Sequence, residues 1–573
     1  MSRLLVVLVV TTLPLAAQSW TQWGGNPRHT GTIPVYGQSL RSQMADIVYD
    51  PFVPLEITGG ALRVHFQTPL SDGKELFMEV KGGTYTTNWA TQTWSIRKFE
   101  WDGGTLVTKW TAESDWDPVP GGGTGFEPVF HGALANGFVY MPGRGGTVLE
   151  VDRTTGVITR RLGQFGVLLD PSIYVTGPIS VADDGTIYYN TLRVVEGPPS
   201  PWSIDHQGAW LVKVNHDGTA SRVSYQTLVP NAPAPHTQCA GVFTAQELPW
   251  PPSPTAIAPT VTCGSQRAGL NLAPAIGPDG TIYTASRTHL NSRWGWAIAV
   301  NPDLTPKWAT SLRNRFRDGC NVLLPPNGAP GGCRSGATTG VDPSDNQFGS
   351  GAINDDSTAS PVVAPDGSIY LGTYSRYNHS QGHTVRLSST GAYLSAYPFG
   401  WDVTPAIYAH DGTFSVVTKE NRYPFVGTYC GNSTHCPPYT RVPGDDQGFY
   451  ITQLTPALSV EWKYKNEERL SCERQPDGSV ECVDDHQHEF GFEWCVNALA
   501  VDARGTVYIN SEDGHLYALN QGGTRRDRIF LQLAIGAAYT PLSLGADGKI
   551  YTQNAGHLFA VGSNAPRRRA ARK

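Results

Sequence analysis

The sequence predicts an all-β protein, an eight-bladed β-propeller whose N-terminal strand closes the last blade. The first observation is a repeat in which proline opens a short apolar run, an Asp-Gly turn follows, and an Ile-Tyr strand comes next. The second is composition, because 63 glycines and 43 prolines among 573 residues are typical of many short strands joined by turns. The repeat is clearest in APAIGPDGTIYTAS from Ala273, SPVVAPDGSIYLGT from Ser360 and TPLSLGADGKIYTQ from Thr540.

Each repeat divides into four short strands, A to D. Asp-Gly chemistry reverses the chain between A and B, and a second polar turn joins C to D. Four-stranded units repeated in this way form the blades of a propeller. The recurring proline suits strand A, because that strand lines the central channel and has an unpaired edge. We count eight units, whose A strands begin near Pro69, Pro128, Pro178, Pro274, Pro361, Pro405, Asn497 and Pro541.

The last unit stops after strand C, at Val561, so its fourth strand has to come from elsewhere. The segment ALRVHFQT from Ala61 stands just before the first A strand. We expect this segment to pair with the last unit, which would close the ring and remove an exposed edge.

The ends of the chain indicate an exported protein. Residues 1–17 combine Arg3, an apolar stretch to Leu15 and a small-residue cleavage site at Ala16-Ala17, which is typical of a signal peptide. We divide the rest into an N-terminal arm (18–60), the propeller (61–562) and a basic tail (563–573). A formal net charge of -6 does not indicate nucleic-acid binding, and no other segment is apolar enough to span a membrane. We expect a monomer, secreted or periplasmic.

The cysteines support an oxidising compartment. Eight of the nine fall into pairs that are close in the sequence, and such pairs favour disulfides that staple loops. Cys495 is left over, and we interpret it as a buried small residue rather than a reactive thiol. The predicted pairs are Cys239 with Cys263, Cys320 with Cys333, Cys430 with Cys436, and Cys472 with Cys482.

The units resemble the PQQ-type propeller repeat (PQQ, pyrroloquinoline quinone) shared by secreted quinoprotein dehydrogenases and by the outer-membrane assembly lipoprotein propeller. WTQWGGNPRHTG from Trp20 also resembles the Trp-Gly-Gly-Asn-Pro segment found ahead of such repeats. The resemblance implies the fold over about residues 61–562. It leaves the function open, because both enzymes and non-catalytic scaffolds use this repeat.

Departures from that family limit what can be transferred. Alcohol-oxidising quinoproteins resemble one another in a vicinal Cys-Cys disulfide that packs on the quinone, and this chain has no adjacent cysteines. Cys-x-x-Cys-His haem attachment is also absent. The motifs therefore do not support PQQ binding, and the catalytic and cofactor-binding residues stay unassigned. The cofactor also stays unassigned, and calcium or another divalent metal is compatible with the remaining residues.

Long insertions obey a rule of position. Those at 226–268, 313–356 and 464–494 connect a D strand to the next A strand, and those at 192–207 and 422–446 connect B to C. In an antiparallel blade both kinds of connection emerge on the same face, which we call the looped face. Long ordered loops are usually functional. We expect this face to bind a protein or a saccharide; the alternatives are loops that vary without a function and loops that cap the channel mouth.

Two loop clusters carry possible metal ligands. The first contains Asp484, Asp485, His486, His488 and Glu489, and Glu493 follows it in the sequence. Imidazole and carboxylate groups could hold a divalent ion. The alternative is an acidic loop exposed to solvent. The second is rich in oxygen ligands that suit calcium, although its spacing matches no known calcium loop. It comprises Asp342, Asp345, Asn346, Asp355 and Asp356. Three loop tryptophans could stack on sugars or pack the loops onto the ring: Trp202, Trp250 and Trp494.

Three functions fit these observations. The first is a binding or scaffold module that acts through its looped, disulfide-stapled face. The second is a quinoprotein-type oxidoreductase, and the third is a metal-dependent hydrolase or lyase at the channel mouth. We favour the first, and we leave open whether the protein is an enzyme.

Overall fold

The computed structural model describes residues 19–59, 66–121, 128–243, 251–322, 333, 336–357, 359–375, 377–378, 381–423, 448–533 and 541–563. It is an eight-bladed β-propeller, as the repeat predicts. Strand β1 (Ser42–Val48) comes first in the chain and helix α1 (Val53–Thr58) follows it. No helix in these ranges is long and apolar enough to cross a membrane.

Eight antiparallel sheets form the blades, and each runs from an inner A strand to an outer D strand. Blade 1 contains β2 (Leu70–Asp72), β3 (Glu75–Gly83), β4 (Gln92–Asp102) and β5 (Thr105–Glu113). Blade 2 contains β6 (Ala133–Ala135), β7 (Phe138–Gly143), β8 (Thr147–Asp152) and β9 (Ile158–Leu162). Blade 3 contains β10 (Ile173–Val175), β11 (Ser180–Val181), β12 (Ile187–Arg193), β13 (Gly208–Val214) and β14 (Ala220–Ser224), followed by α2 (Tyr225–Leu228) and the hairpin β15 (Gln238–Ala240) and β16 (Thr260–Thr262).

The next blades follow the same order. Blade 4 contains β17 (Gln266–Ala268), β18 (Ala275–Ile276), β19 (Ile282–Thr288), β20 (Gly295–Val300) and β21 (Pro306–Ser311), followed by the hairpin β22 (Val341–Asp342) and β23 (Gln347–Phe348). Blade 5 contains β24 (Val362–Val363), β25 (Ile369–Tyr374), β26 (Gly382–Leu387) and β27 (Tyr393–Tyr397). Blade 6 contains β28 (Ala406–His410), β29 (Thr413–Arg422), β30 (Gly448–Leu454) and β31 (Val460–Lys465), followed by the hairpin β32 (Leu470–Arg474) and β33 (Val480–Asp484).

The ring ends with two more blades. Blade 7 contains β34 (Ala500–Val501), β35 (Val507–Asn510), β36 (His515–Asn520) and β37 (Thr524–Phe530). Blade 8 contains β38 (Ser543–Leu544), β39 (Ile550–Asn554) and β40 (His557–Gly562), with β1 as its outer strand. Apolar clusters fill the spaces between neighbouring blades. The inner strands of neighbouring blades contact one another, so they line the central channel.

The N-terminal arm closes the ring, but the segment predicted to do so was wrong. Strand β1 pairs antiparallel with β40, from Ser42 opposite Gly562 to Val48 opposite His557. Residues 66–68 of the predicted donor instead have no strand structure, and residues 61–65 lie outside the described ranges. The physical reason is that a closing strand lies on the outside of its blade. Strand β1 is therefore half exposed, and it lacks the alternation of apolar and polar residues on which the prediction of residues 61–68 was based.

Residues 20–35, which we call the channel segment, run through the centre of the ring. Gly24 and Gly25 have φ angles of 62° and 84°, and a Cβ at Gly24 would lie 2.6 Å from His29 Cα, so the turn there requires glycine. The segment thereby occupies the channel below the looped face. It bonds to inner strands of seven blades in turn, at Ser71, Leu134, Val181, Ile276, Val363, Ile407 and Val501.

Candidate binding site on the looped face

The long loops contact one another across neighbouring blades, as expected for connections that share one face. The backbone N–H of Phe243 donates to the carbonyl of Ser344 at 2.8 Å, which joins the loops before blades 4 and 5. The ring of Trp202, in the B-to-C loop of blade 3, stacks on His289 of blade 4 with centroids 5.5 Å apart. The looped face is thus a continuous surface of connected loops.

Three disulfides staple this surface. Cys239 pairs with Cys263 across β15 and β16, Cys320 with Cys333, and Cys472 with Cys482 across β32 and β33. They match three of the four pairs that the spacing predicts. The fourth pair, Cys430 with Cys436, lies outside the described residues. Disulfides of this kind are typical of proteins in an oxidising compartment.

A cavity of about 490 Å³ opens between blades 4 and 5 on the looped face. The disulfide-stapled hairpin of β15 and β16 and the chain that leads into β24 both contribute to its lining. This volume lies within the range of about 300–1,000 Å³ for small-molecule sites. The lining side chains include Val242, Val261, Asn291, Ser292, Asn354 and Tyr374.

An ion-paired group lies beside this cavity and contributes Arg287 to its lining. Arg267 is buried and binds both carboxylate oxygens of Asp355, at 2.7 and 2.6 Å, and Arg287 approaches the same carboxylate at 3.1 Å. Burial would raise the pKa of Asp355, but the two arginines outweigh it and hold that pKa well below its usual range. Burial lowers the pKa of Arg287 to about 10, and Asp355 opposes that shift.

A third arginine holds the loop before blade 5 in place at the cavity. Arg293 donates to Asp342, to Asp345 at 2.8 Å and to the hydroxyl of Ser344 at 2.7 Å. Burial raises the pKa of Asp345 to about 6, with the charge of Arg293 acting in the opposite direction. Asp342, Asp345 and Asp355, which the sequence suggested as calcium ligands, are therefore bound to arginine.

Asp356 is different, because its side chain is open to the cavity. Surrounding protein raises its pKa to about 6 by desolvation, and the charges of Asp355 and Asp402 add to this effect. A carboxyl group of this kind can donate or accept a hydrogen bond near neutral pH. Asp356 is thus the titratable group best placed to contact a ligand.

A further group of polar side chains lies beside the cavity, above blades 6 and 7. Glu493 accepts a hydrogen bond from the Tyr423 hydroxyl at 2.9 Å, and the Cys495 thiol lies 3.8 Å from the same carboxylate. Metal-ligating atoms of Glu493, Cys495 and Glu512 all lie within 4.8 Å of one another. We call these three residues the acid–thiol cluster. Burial, helped by the nearby Glu512, raises the pKa of Glu493 to about 7, and burial raises the pKa of the Cys495 thiol well above its usual value.

The residues predicted to bind a metal lie at the open end of the β32–β33 hairpin, opposite its turn, and in the short segment after β33. His486 and Asp484 are 4.0 Å apart and mostly exposed, while His488 lies 2.9 Å from Asp485 and stacks on Phe492. Asp485 accepts hydrogen bonds from Ser471 and from the backbone N–H of Gln487. Glu489 is exposed. The structure brings these residues together as two pairs, and the metal site there stays a prediction.

Other predicted residues have defined places. Trp494 is fully buried and donates to the carbonyl of Phe449 at 3.0 Å, so it packs the loop onto the ring. Trp202 donates to the carbonyl of Pro120 at 3.0 Å, and Trp250 lies outside the described residues. Cys495 is a free cysteine, and it is buried as predicted.

The sequence analysis missed three arginines in and beside the cavity. Arg267, Arg287 and Arg293 stand in or beside regular strands, where their charge would ordinarily be solvated. One signal was available: each B strand of this repeat should be buried on both sides, and an arginine at the end of β19 breaks that pattern. A charge in such a position needs a partner.

Comparison with solved structures supports the architecture. A europium-containing methanol dehydrogenase matches with a TM-score of 0.52 and 12% identity over 93% of this chain and 89% of that chain. The quinohemoprotein alcohol dehydrogenase from Comamonas testosteroni matches with a TM-score of 0.50 and 12% identity over 97% and 82%. The chain has the fold of the PQQ-type propellers. BamB from Moraxella catarrhalis is also found, with a TM-score of 0.38 and 11% identity over 91% and 99%. No family model matches the chain, and neither does any curated protein.

The residues around the cavity do not fit a quinone cofactor that carries carboxylates, as PQQ does. Such a cofactor requires cationic donors for its carboxylates. The two arginines that line the cavity, Arg287 and Arg293, are already bound to aspartates. We therefore derive no redox step at this site.

Proposed function

We propose that this protein is an exported binding module that holds a neutral, hydroxyl-rich ligand, a saccharide, in the looped-face cavity. The main observation in support of the proposal is that the charges lining the cavity balance. The lining contains two arginines, Arg287 and Arg293, and two aspartates, Asp342 and Asp356, so its formal charge is zero. A cavity of that kind favours neutral polar ligands over phosphates or other strong anions.

The remaining lining groups suit sugar hydroxyls. Asn354 and Asn291 present amide groups that donate and accept, and Ser292 and Ser350 add hydroxyls or backbone groups. Tyr374 offers an aromatic ring that is held by an edge contact with Trp401, with centroids 5.0 Å apart. Aromatic rings with an apolar body and a polar tip are suited to contact with sugar rings.

Access is restricted to one side of the ring. The channel segment fills the centre of the propeller, so a ligand reaches the cavity from the looped face. The disulfide-stapled hairpin reduces the mobility of the cavity wall before binding, which lowers the entropic cost of holding a ligand. Export fits the signal peptide that the sequence predicts and the three disulfides.

Calorimetric titration tests this proposal. The purified protein is titrated with soluble gluco-, xylo-, manno- and chito-oligosaccharides. Ser292→Trp fills the cavity from its rim and is expected to weaken binding by at least about tenfold, or about 1.4 kcal/mol. Thr390→Trp, in an exposed turn on the opposite face, is the matched control and is expected to bind as the wild type does. Absence of binding by the folded wild type, or full binding by Ser292→Trp, contradicts the proposal.

Recognition of a protein is a second candidate, favoured by exposed apolar side chains on the looped face. Val167 and Leu168 are 96% and 84% exposed in the loop between blades 2 and 3, and Ile257 is 89% exposed beside the cavity hairpin. Exposed apolar groups gathered on one face are typical of protein-binding surfaces. Replacing all three by serine should abolish such binding and leave saccharide binding unchanged, which separates the two candidates.

A further inference from the structure

We propose that the acid–thiol cluster, Glu493, Cys495 and Glu512, is a site for a borderline transition metal, with Zn²⁺ as the ion that it fits best. This site is separate from the two His–Asp pairs at the end of β33 and does not depend on saccharide binding. The ligand atoms, two carboxylate oxygens and one thiol sulfur, lie within 4.8 Å of one another. Ligands of one tetrahedral zinc ion, bound at about 2.0–2.3 Å, are separated by roughly 3.3–3.8 Å, so small side-chain shifts suffice.

The chain holds these ligands in place. Glu493 and Cys495 flank the fully buried Trp494, whose backbone exchanges hydrogen bonds with the side chain of Asn421. The turn that carries Glu512 is tied to the same segment, because the Glu512 N–H donates to the Glu493 carbonyl at 3.2 Å. The two ligand-bearing segments are therefore fixed to each other before any ion binds.

Hydrogen bonding orients one of the carboxylates. The Tyr423 hydroxyl donates to Oε2 of Glu493 at 2.9 Å, which fixes the rotation of that side chain. Groups that orient metal ligands in this way typically strengthen metal binding. Cys495 and Glu512 are buried, whereas Glu493 is only partly buried, so the cluster can be reached from the side of Glu493.

A second, independent observation also favours a cation at this place. Asp402, beside the cluster, is buried, and its Oδ1 accepts no hydrogen bond within the described residues. Its other oxygen binds Lys419 at 2.8 Å. Asp402 and Glu512 are both near enough to Glu493 to repel its negative charge, and Lys419 attracts it. A divalent cation would offset this concentration of negative charge.

The ligand set selects the type of metal. Calcium and magnesium take oxygen ligands, whereas a thiolate with carboxylates suits zinc and its neighbours. Three protein ligands leave a fourth position open for water or another group. The thiol ligand therefore distinguishes this site from sites that bind hard ions such as calcium or magnesium.

Metal titration with a spectroscopic reporter tests the proposal. The protein is stripped with a chelator, confirmed as folded by circular dichroism, and titrated with Co²⁺ and with Zn²⁺. We expect one ion per chain, a thiolate-to-cobalt charge-transfer absorption, and no displacement of the ion by calcium. Cys495→Ser should lose that absorption, and Glu512→Gln should bind Zn²⁺ at least about tenfold more weakly.

The control is the double variant His486→Ala with His488→Ala, which removes the alternative ligands on the same face. It should retain the stoichiometry, the affinity and the cobalt spectrum. Three results would each overturn the proposal: no ion bound by the folded wild type, displacement of the ion by calcium, or loss of the ion in the histidine variant with retention in Cys495→Ser. If Cys495→Ser fails to fold, the cobalt spectrum of the wild type and the affinity of Glu512→Gln decide the question.

Discussion

Trp23→Ala tests the role of the channel segment in holding the ring together. The Trp23 side chain has no exposed surface and packs against Ala273 and Ala498, which belong to blades 4 and 7. Its Nε1 donates to the hydroxyl of Thr404 at 3.1 Å, and its ring makes an edge contact with His131.

The expected cost follows from these contacts. Truncating a fully buried tryptophan to alanine lowers the free energy of unfolding by about 3–5 kcal/mol. The loss includes both the transfer free energy of the apolar side chain and the cost of the cavity left behind. The lost hydrogen bond is part of that figure at about 1 kcal/mol, since the Thr404 oxygen keeps a second donor, the N–H of Ser360. We therefore expect Trp23→Ala to lower the free energy of unfolding by about 4 kcal/mol.

Urea unfolding followed by far-ultraviolet circular dichroism measures this loss without relying on tryptophan fluorescence. Trp308→Ala is the matched control, because Trp308 also makes one hydrogen bond, to the Ser389 carbonyl at 3.0 Å, but is half exposed on an outer strand. Its removal should cost only about 1–2 kcal/mol. If Trp23→Ala costs no more than Trp308→Ala, the channel segment does not stabilise the ring and the reasoning fails.

Three further predictions concern the looped face. Replacing Cys239 and Cys263 with serine removes a disulfide that closes a loop of 24 residues and stabilises that loop by about 3.5 kcal/mol. Hydrogen exchange in the β15–β16 hairpin should therefore become faster by about two orders of magnitude, while exchange in the blades is unchanged. Lys419→Met leaves Asp402 buried without its ion-pair partner and should lower the free energy of unfolding by about 3–5 kcal/mol, measured with urea at pH 7. The loss should be smaller at pH 5, because burial raises the pKa of Asp402 and an unpaired carboxyl group there is more easily protonated. Asp356 has a folded-state pKa of about 6, above its unfolded value, so its ionisation opposes folding as pH rises from about 4 to 6. Asp356→Asn should therefore raise stability by about 1 kcal/mol at pH 7, after allowance for solvent in the open cavity, and have no effect at pH 4 in the same assay.

The repeat predicted the blades because their information is local. In blade 4 the turn between β18 and β19 carries Asp279 and Gly280, and Gly280 has a φ of 77°, as an Asp-Gly reversal requires. The side chain of Asp279 accepts hydrogen bonds from Thr281, which stabilises the turn. Turn chemistry and strand patterning at this scale can be seen in a single sequence.

The closing strand and the channel segment could not be predicted in the same way. Strand β1 pairs with residues more than 500 positions away, and half of its surface faces solvent, so no local apolar pattern identifies it. The segment WTQWGGNPRHTG resembles segments found ahead of such repeats, but nothing in its composition indicates that it fills a channel.

The candidate site was predicted only in outline. The positions of the insertions predicted which face would carry it, and Asp342, Asp355 and Asp356 were singled out in the correct loop. Their chemistry was misjudged, because the arginines that bind Asp355 lie 68 and 88 residues away in the sequence. Such pairings depend on how blades are placed beside each other, which a single sequence does not show.

Hydrogen exchange along the whole wild-type chain, with and without the oligosaccharide panel at saturating concentration, tests the central claim most directly. We expect protection to gather in the B-to-C loop of blade 4 and in residues 350–356, which wall the cavity. Protection confined to the turns of the opposite face, or no protection anywhere in the folded protein, would contradict the claim that the looped-face cavity is where this protein binds.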